Sequence, residues 1–259
     1  MGDILGKTAQ PTYTLYCPYI PLEARLGNHE SRITNIESPP PMHYDLFHTR
    51  RTARVFRLGE PSAQTREVWL VLHGYRQLAQ NFLRRFAPIA APGRLIVAPE
   101  GLSRFYVDGV RGKVGASWMT REARELEIAD QQIWLDQVLS TLQQQVPPDV
   151  RWHLLGFSQG VATAWRWLQQ SAFIPEAFTI WAGTIPEEFT PEMEQRMSRM
   201  RLTLAYGDRD EFIDPERARA YVALLQGRYP HLELLPFSGR HDIPQEPLLE
   251  LLQRWEGKA

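Results

Sequence analysis

A strand, a sharp turn and a helix follow one another directly in residues 150–168, and this stretch constrains the fold of the chain most. Before the turn, residues 150–155 are mostly apolar, and after it apolar side chains recur on one helix face, at Val161, Ala162, Trp165 and Leu168. At the turn, Gly156, Ser158 and Gly160 form a G-x-S-x-G pattern. Its glycines let a strand and a helix approach closely and hold the serine exposed in a strained conformation. Ser158 is therefore the candidate nucleophile; the alternative is an ordinary serine turn between a core strand and a core helix.

Strand-like and helix-like segments alternate over most of the chain. Strands are predicted over 66–74, 93–101, 177–181, 202–206 and 232–236, and helices over 77–87, 120–145, 215–225 and 247–255. Strand character is expected to start at Met42, residues 102–119 are predicted to be a Gly-rich aromatic loop, and Thr120 is the expected N-cap of the longest helix. Several β-α units in series predict an α/β protein with a mostly parallel central sheet and helices on both faces.

Residues 1–41 differ in composition from the rest of the chain. Prolines at positions 11, 18, 21, 39, 40 and 41, together with a polar stretch over 27–38, predict a weakly structured N-terminal extension. Residues 42–259 are predicted to form one domain, because a chain of 259 residues with 43% hydrophobic content can bury one large core. One hypothesis is that translation starts at Met42, which the intact mass of the protein made from its native gene would test.

Charge and cysteine content limit the classes of protein to which this chain can belong. The 29 basic and 30 acidic residues give a formal net charge of −1 without a run of like charge, so neither a nucleic acid nor an anionic membrane is indicated as a partner. No apolar stretch approaches the length of a membrane span, and the first residues lack the pattern of a signal peptide. The single cysteine, Cys17, fits a reducing compartment. We therefore expect a cytoplasmic protein without membrane insertion.

Polar residues directly follow two of the predicted strands, at the carboxyl ends where sites in parallel sheets lie. Asp208 and Asp210 come after the strand that ends at Tyr206, and His241 comes after the strand that ends near Pro236. Together with the nucleophile candidate these residues appear in the order Ser, Asp, His, which is the order of α/β-hydrolases. An imidazole takes the proton of the serine hydroxyl, while a carboxylate fixes the ring tautomer and stabilises the imidazolium.

Alternatives exist for the acid and for the base. The Gly207-x-x-Asp210 spacing favours Asp210 as the acid, with Asp208 as the next candidate and Asp242 expected to face solvent or to cap the last helix. His231 is the rival of His241 as the base.

The remaining histidines have structural interpretations. His73 follows an apolar strand and is expected to support the next loop by hydrogen bonding, and His153 inside the strand before the elbow is expected to be a core or strand-edge residue. The early histidines, His29, His43 and His48, lack metal-ligand spacing, and no H-E-x-x-H or Cys/His cluster occurs. No metal and no cofactor is implied.

The ordered motifs resemble the phospholipase/carboxylesterase branch of the α/β-hydrolases, which includes small bacterial carboxylesterases and acyl-protein thioesterases. The motifs that match are the early Leu72-His73-Gly74, the GFSQG elbow, Gly207-x-x-Asp210 and His241, and they span residues 66–242. The resemblance implies Ser158 as nucleophile, Asp210 as acid and His241 as base. It further implies an oxyanion hole formed by the backbone N–H groups of Tyr75 and Gln159, and a donor just after the nucleophile is also what the elbow geometry favours.

The implied activity is that of a serine carboxylesterase acting on a small-molecule ester. Alternatives are a thioesterase or lysophospholipase acting on long acyl chains, and a non-catalytic binding protein with the hydrolase fold. Four side chains after the strand 93–101 are candidates for lining an apolar acyl pocket, namely Phe105, Tyr106, Trp118 and Met119. Alternatively, the aromatic rings among them pack this loop onto the domain.

Overall fold

The computed structural model describes residues 42–257, so the predicted extension over residues 1–41 lies outside the described residues. Within the described residues, a compact unit begins at Ala53 and does not include residues 42–52. Residues 42–54 have no regular secondary structure, and the expected strand character from Met42 onward is wrong for them. A strand needs a hydrogen-bonding neighbour, and pairing starts only at Val55. The predicted domain boundary at residue 42 stays a prediction.

Strands of the described chain are β1 (Val55–Leu58), β2 (Glu67–Leu72), β3 (Arg94–Pro99), β4 (Ser103–Tyr106), β5 (Val114–Ser117), β6 (Arg151–Phe157), β7 (Ala177–Trp181), β8 (Arg201–Gly207) and β9 (Glu233–Phe237). Seven of them form a sheet in the spatial order β1-β3-β2-β6-β7-β8-β9. β1 is antiparallel to β3, and every other pair of neighbours in this sheet is parallel. The carboxyl ends of the six parallel strands therefore meet at one edge of the sheet.

Helices over residues 42–257 are α1 (Ala79–Leu83), α2 (Arg124–Gln143), α3 (Gln159–Gln170), α4 (Pro191–Met197), α5 (Pro215–Arg228) and α6 (Gln245–Glu256). α1 passes into a 3₁₀ segment, Arg84–Ile89, because Pro88 has no N–H to continue α-helical hydrogen bonding. α2 begins later than predicted, with Ala123 in the left-handed conformation as its N-cap. The predicted cap Thr120 is wrong, since its hydroxyl donates to the Glu122 carbonyl oxygen at 3.2 Å.

Alternate side chains of β2 enter two hydrophobic cores on opposite faces of the sheet. Leu70 and Leu72 join the core that contains buried residues of α2, α3, α4 and α5. Trp69 and Val71 join the core that contains buried residues of α1 and α6. Because successive strand residues point to opposite faces, this division shows helices covering both sides of the sheet. The predicted α/β architecture is thereby confirmed.

The predicted loop over residues 102–119 is instead a short antiparallel hairpin. β4 pairs with β5 from Ser103 opposite Ser117 to Tyr106 opposite Val114. The turn between them contains Gly109 and Gly112 at φ of 71° and 119°, a region that glycine enters without steric cost. These glycines close a hairpin, whereas the sequence interpretation took them as the sign of an irregular loop.

Candidate active site

Ser158 lies at the turn between β6 and α3, in a backbone conformation with φ 54° and ψ −118°. This conformation is outside the regions that side-chain-bearing residues favour. A Cβ added to Gly156 would lie 2.6 Å from the Gly160 carbonyl oxygen, and one added to Gly160 would lie 2.2 Å from the carbonyl oxygen of Leu72. Larger residues therefore do not fit at either position. The turn has the close strand–helix approach that the G-x-S-x-G pattern predicts.

Trp181, the last residue of β7, connects the elbow to the segment that contains His241. Its carbonyl oxygen accepts the Ser158 N–H at 2.9 Å, and its indole N–H donates to the Asp242 carbonyl oxygen at 2.9 Å. The ring of His241 lies 4.9 Å from that of Phe157, the neighbour of the nucleophile candidate. The side chains of Ser158 and His241 are not themselves hydrogen-bonded, and such bonds are often long before substrate is bound.

His241 and Asp210 are in direct contact. Nδ1 of His241 is 2.8 Å from Oδ2 of Asp210, and the other carboxylate oxygen accepts the Phe212 N–H at 2.9 Å. The side chain of Asp210 is only 2% exposed. A buried carboxylate on Nδ1 favours the tautomer with the proton on that nitrogen, which leaves Nε2 as the basic nitrogen. The ring of Phe212 packs edge-on against His241 at 4.7 Å.

The other candidates for acid and base lie elsewhere. Asp208 accepts the Gly239 N–H at 2.9 Å, and this bond is the main cause that lowers the pKa of its carboxyl. Asp242 forms an ion pair with Arg85. It does not cap the last helix, whose N-cap is Pro244. Nε2 of His231 lies 3.2 Å from the Met197 carbonyl oxygen, beside α4.

The two N–H groups predicted to form the oxyanion hole are adjacent to the elbow. A Cβ added to Gly74 would lie 3.1 Å from Cβ of Ser158, so the loop carrying Tyr75 packs directly on the nucleophile candidate. The Tyr75 N–H has no acceptor within residues 42–257. Gln159 is the first residue of α3, where an N–H has no intrahelical partner and the helix dipole favours negative charge.

His73 holds the loop after β2 in place. The Gly101 N–H donates to Nε2 of His73 at 3.0 Å, so the proton is on Nδ1, which donates to the Gly74 carbonyl oxygen at 2.8 Å. Burial lowers the pKa of His73 to about 4. The ring is therefore neutral near pH 7, and its position agrees with the supporting role expected for it.

His153 belongs to the core. Its ring stacks on Trp255 at 4.5 Å and lies 5.0 Å from Trp69. Burial, the largest cause, lowers its pKa to about 3. This matches the expectation of a core histidine and gives it no part in the site.

The four predicted pocket residues do not share one environment. Trp118 is 2% exposed and stacks on His73 at 4.9 Å, which favours the alternative that it packs the hairpin onto the domain. Phe105 stacks on Tyr75 at 5.3 Å, and Tyr106 is 53% exposed. The carbonyl oxygen of Met119 accepts a hydrogen bond from the Gln159 side chain at 2.8 Å.

Sequence reasoning missed a cleft of about 270 Å³ that lies between the loops after β7 and β8 and helix α5. Its lining includes Gly183, Phe212, Ile213, Tyr221 and Val222. The cleft is next to the elbow, because a Cβ added to Gly183 would lie 2.6 Å from the Ser158 carbonyl oxygen. The available signal was the pair of apolar residues at 212 and 213, two and three positions after the predicted acid.

The described residues contain neither a membrane-spanning helix nor a cluster of metal ligands. Over residues 42–257, no helix combines the length and the apolar character that crossing a bilayer requires. The same part of the chain contains no group of three or more His, Cys, Asp or Glu side chains that could hold a metal ion.

Comparisons with known proteins identify a family that includes this chain and solved structures that share its fold. A family model described as Serine hydrolase (FSH1) matches residues 63–249. No curated protein matches the chain in sequence. The family model spans the elbow, the carboxylate and the histidine of the site.

Solved structures share the fold at low identity. Acyl-protein thioesterase 2 of Zea mays is 18% identical with a TM-score of 0.61, and the match covers 80% of this chain and 99% of that chain. Esterase PE8 is 23% identical with a TM-score of 0.58 and the same coverages, 80% and 99%. A carboxylesterase from Mesorhizobium loti is 18% identical with a TM-score of 0.55, covering 75% of this chain and 90% of its own. The predicted α/β-hydrolase fold is thereby confirmed.

Proposed function

Because the chain belongs to the serine hydrolase (FSH1) family, we propose that it hydrolyses carboxylic esters of small molecules with Ser158, His241 and Asp210. The observation that carries this proposal is the 2.8 Å contact between Nδ1 of His241 and Oδ2 of the buried Asp210. Such a pair lets the second ring nitrogen act as a general base toward a serine hydroxyl. The cytoplasmic location expected from the sequence stays a prediction.

In the proposed mechanism, Oγ of Ser158 attacks the ester carbonyl carbon while Nε2 of His241 takes the hydroxyl proton. The N–H groups of Tyr75 and Gln159 stabilise the oxyanion that forms. The imidazolium then protonates the departing alcohol, which leaves an acyl group on the serine. A water molecule, deprotonated by the same imidazole, hydrolyses this acyl-enzyme and restores the free hydroxyl. Asp210 keeps its charge throughout and stabilises each imidazolium.

The cleft beside the elbow supports an apolar chain of medium length in the substrate. Its volume of about 270 Å³ is near the lower limit for small-molecule pockets, which favours an acyl chain shorter than those of long-chain lipids. Its walls include apolar side chains such as Leu204 and Val222, which favour hydrocarbon over polar groups. We therefore propose a preference for esters of medium chain length. A thioesterase or lysophospholipase of long acyl chains would instead become faster up to the longest chains.

Hydrolysis of p-nitrophenyl esters from acetyl to palmitoyl tests this function, with Ser158→Ala measured in parallel. We expect cleavage that is fastest at medium length and that falls by about 10⁶-fold, to background, in the variant. A fluorophosphonate probe should label the wild-type chain at Ser158 and leave the variant unlabelled. Absence of both cleavage and labelling in the wild-type protein would contradict the proposal and favour a non-catalytic binding role.

A further inference from the structure

The edge of β5 is hydrogen-bonded to the loop that carries Tyr75. The Arg76 N–H donates to the Ala116 carbonyl oxygen at 3.0 Å, and the Ala116 N–H donates to the Gln77 carbonyl oxygen at 3.2 Å. These two bonds form a β-bridge between Gln77 and Ala116. The peptide that follows the proposed oxyanion donor is therefore hydrogen-bonded to the hairpin strand.

This loop is also closely packed against the strand. A Cβ added to Gly115 would lie 2.5 Å from the Arg76 carbonyl oxygen. Arg76 has a φ of 67°, a left-handed conformation that is costly for a residue other than glycine. The side chain of Gln77 folds back and accepts the Gly74 N–H at 2.9 Å. The backbone from Gly74 to Gln77 is thus held by hydrogen bonds and by close packing, and β5 is in direct contact with it.

The other proposed donor, Gln159, is hydrogen-bonded through its side chain to the residues at the end of β5. Its Nε2 donates to the Met119 carbonyl oxygen at 2.8 Å and to Ser117 Oγ at 3.2 Å. Its Oε1 accepts the Trp118 N–H at 3.1 Å. Both ends of this amide are paired with one three-residue segment. The residue that offers its N–H at the elbow is fixed, through its own side chain, to the same strand.

From these contacts we propose that β5 sets the distance between the two oxyanion N–H groups, with the Gln159 side-chain amide as a positioning residue. The inference rests on the proposed function. One donor is held through Arg76 and the other through Gln159, so a displacement of β5 moves both. Donors stabilise an oxyanion only within about 2.7–3.1 Å of its final position. A shift of the strand should therefore lower turnover while ground-state binding of the ester stays nearly unchanged.

Gly115→Ala tests the first contact, with Gly227→Ala in α5, away from the hairpin, as the control. The added methyl at position 115 meets backbone at 2.5 Å, whereas at position 227 nothing lies within 4 Å. We expect Gly115→Ala to lower kcat for the best p-nitrophenyl ester by about 10–10²-fold, with KM changed by less than about twofold. Gly227→Ala should keep both constants near wild type. Equal kcat in the two variants would overturn the inference.

Gln159→Met tests the second contact, because it keeps the backbone N–H and the side-chain length but removes the amide bonds. We expect a loss of about tenfold or more in kcat with little change in KM. An unchanged kcat in this variant would contradict the role of the amide.

The pH dependence of kcat/KM in Gln159→Glu distinguishes a positioning role of the Gln159 amide from a purely structural one. The carboxylate of this variant still accepts the Trp118 N–H, but it opposes the Met119 carbonyl oxygen unless it is protonated. The ratio of its kcat/KM to that of the wild-type protein should therefore fall as pH rises. A ratio independent of pH would count against the inference.

The two proposals fail in different ways. If the wild-type protein shows no Ser158-dependent ester cleavage, both are wrong. If it cleaves esters and both Gly115→Ala and Gln159→Met retain the wild-type kcat, only the positioning role of β5 is wrong.

Discussion

At the scale of single residues, two aspartates separated by one position have opposite environments. Asp210 is buried, contacts the His241 ring and accepts the Phe212 N–H. Asp208 is 59% exposed beside Arg209 and accepts a backbone N–H from the next loop. Both face the same loop after β9, yet only one carboxylate reaches an imidazole nitrogen. The motif spacing favoured Asp210, and this geometry supports the same assignment.

Asn replacements at the two positions test this assignment. Asp210→Asn should lower kcat by about 10⁴-fold, because an amide at this place favours the wrong ring tautomer and cannot stabilise the imidazolium. Asp208→Asn keeps an oxygen acceptor for the Gly239 N–H and should change kcat by only a few fold. Steady-state hydrolysis of one p-nitrophenyl ester by both proteins measures the difference. A larger loss from Asp208→Asn would reverse the assignment.

At the scale of elements, the buried strands were predictable because each is a short apolar run followed within two residues by a polar residue or glycine. Periodicity failed where a neighbour decides the structure. β4 and β5 are strands because they pair with each other, and their Gly-rich turn concealed that pairing in the sequence. α4, a seven-residue helix, was not predicted; its N-cap, Thr190, accepts the Met193 N–H at 3.2 Å, and Met193 and Met197 are its buried residues.

The same limitation applies to the site. Ser158, Asp210 and His241 follow strands, so their order and position could be predicted from local pattern. The cleft could not be predicted in this way, because its wall combines loops after two strands with one face of α5. Only the folded chain brings these segments together. Likewise, nothing local to Gln159 indicates that its side chain bonds residues 117–119.

Helix α5 gives an element-scale test of the cleft. Ala218 lines the cleft, whereas Ala220 is exposed on the same helix. Ala218→Trp should fill the cleft and shift the preferred p-nitrophenyl ester toward acetyl. The rate on the medium-length ester should fall by at least about tenfold, because each methylene excluded from a pocket costs about 1–3 kcal/mol. Ala220→Trp is the control and should keep the wild-type profile. An unchanged chain-length profile in Ala218→Trp would exclude this cleft as the substrate pocket.

At the scale of the whole molecule, the two edges of the sheet have different tasks. The proposed catalytic residues follow the carboxyl ends of the strands. At the opposite edge, Glu67 begins β2 and pairs with Arg94 at 2.7 Å and with Arg151, next to the buried His153. The charges around His153 are mixed, since Glu67 raises its pKa while Arg151, Arg94 and Arg201 lower it, and burial outweighs them all. We therefore expect this edge to make the stability of the fold depend on pH.

The sign of that coupling follows from the depressed pKa of His153. In the unfolded chain the histidine takes up a proton below about 6.5, whereas in the folded protein it does so only near 3. Between these values the unfolded state binds more protons, so the free energy of unfolding falls as pH drops, by about 1.4 kcal/mol per unit. His73, whose pKa is lowered to about 4, acts in the same direction. Above about pH 7 this contribution is fully present.

His153→Phe isolates the contribution of one ring. It removes the titration while keeping an aromatic side chain between Trp69 and Trp255. Urea unfolding at about pH 7 and about pH 5 should show a loss of stability that is smaller by about 2 kcal/mol in the variant than in the wild-type protein. The comparison of the two losses cancels any constant packing cost of the substitution. Equal losses would mean that His153 is not the group responsible.

The strained backbone of Ser158 serves the proposed reactivity of this residue but lowers the stability of the folded chain. A residue held at φ 54° and ψ −118° costs on the order of 1–3 kcal/mol, out of a total of about 5–15 kcal/mol that keeps a typical domain folded. Glycine is the residue that relieves such strain most readily. A laboratory selection for heat resistance alone should therefore enrich Ser158→Gly. This variant would be more thermostable than the parent protein and would not hydrolyse esters. Directed evolution of a more stable form of this protein must therefore also measure turnover in every round of selection.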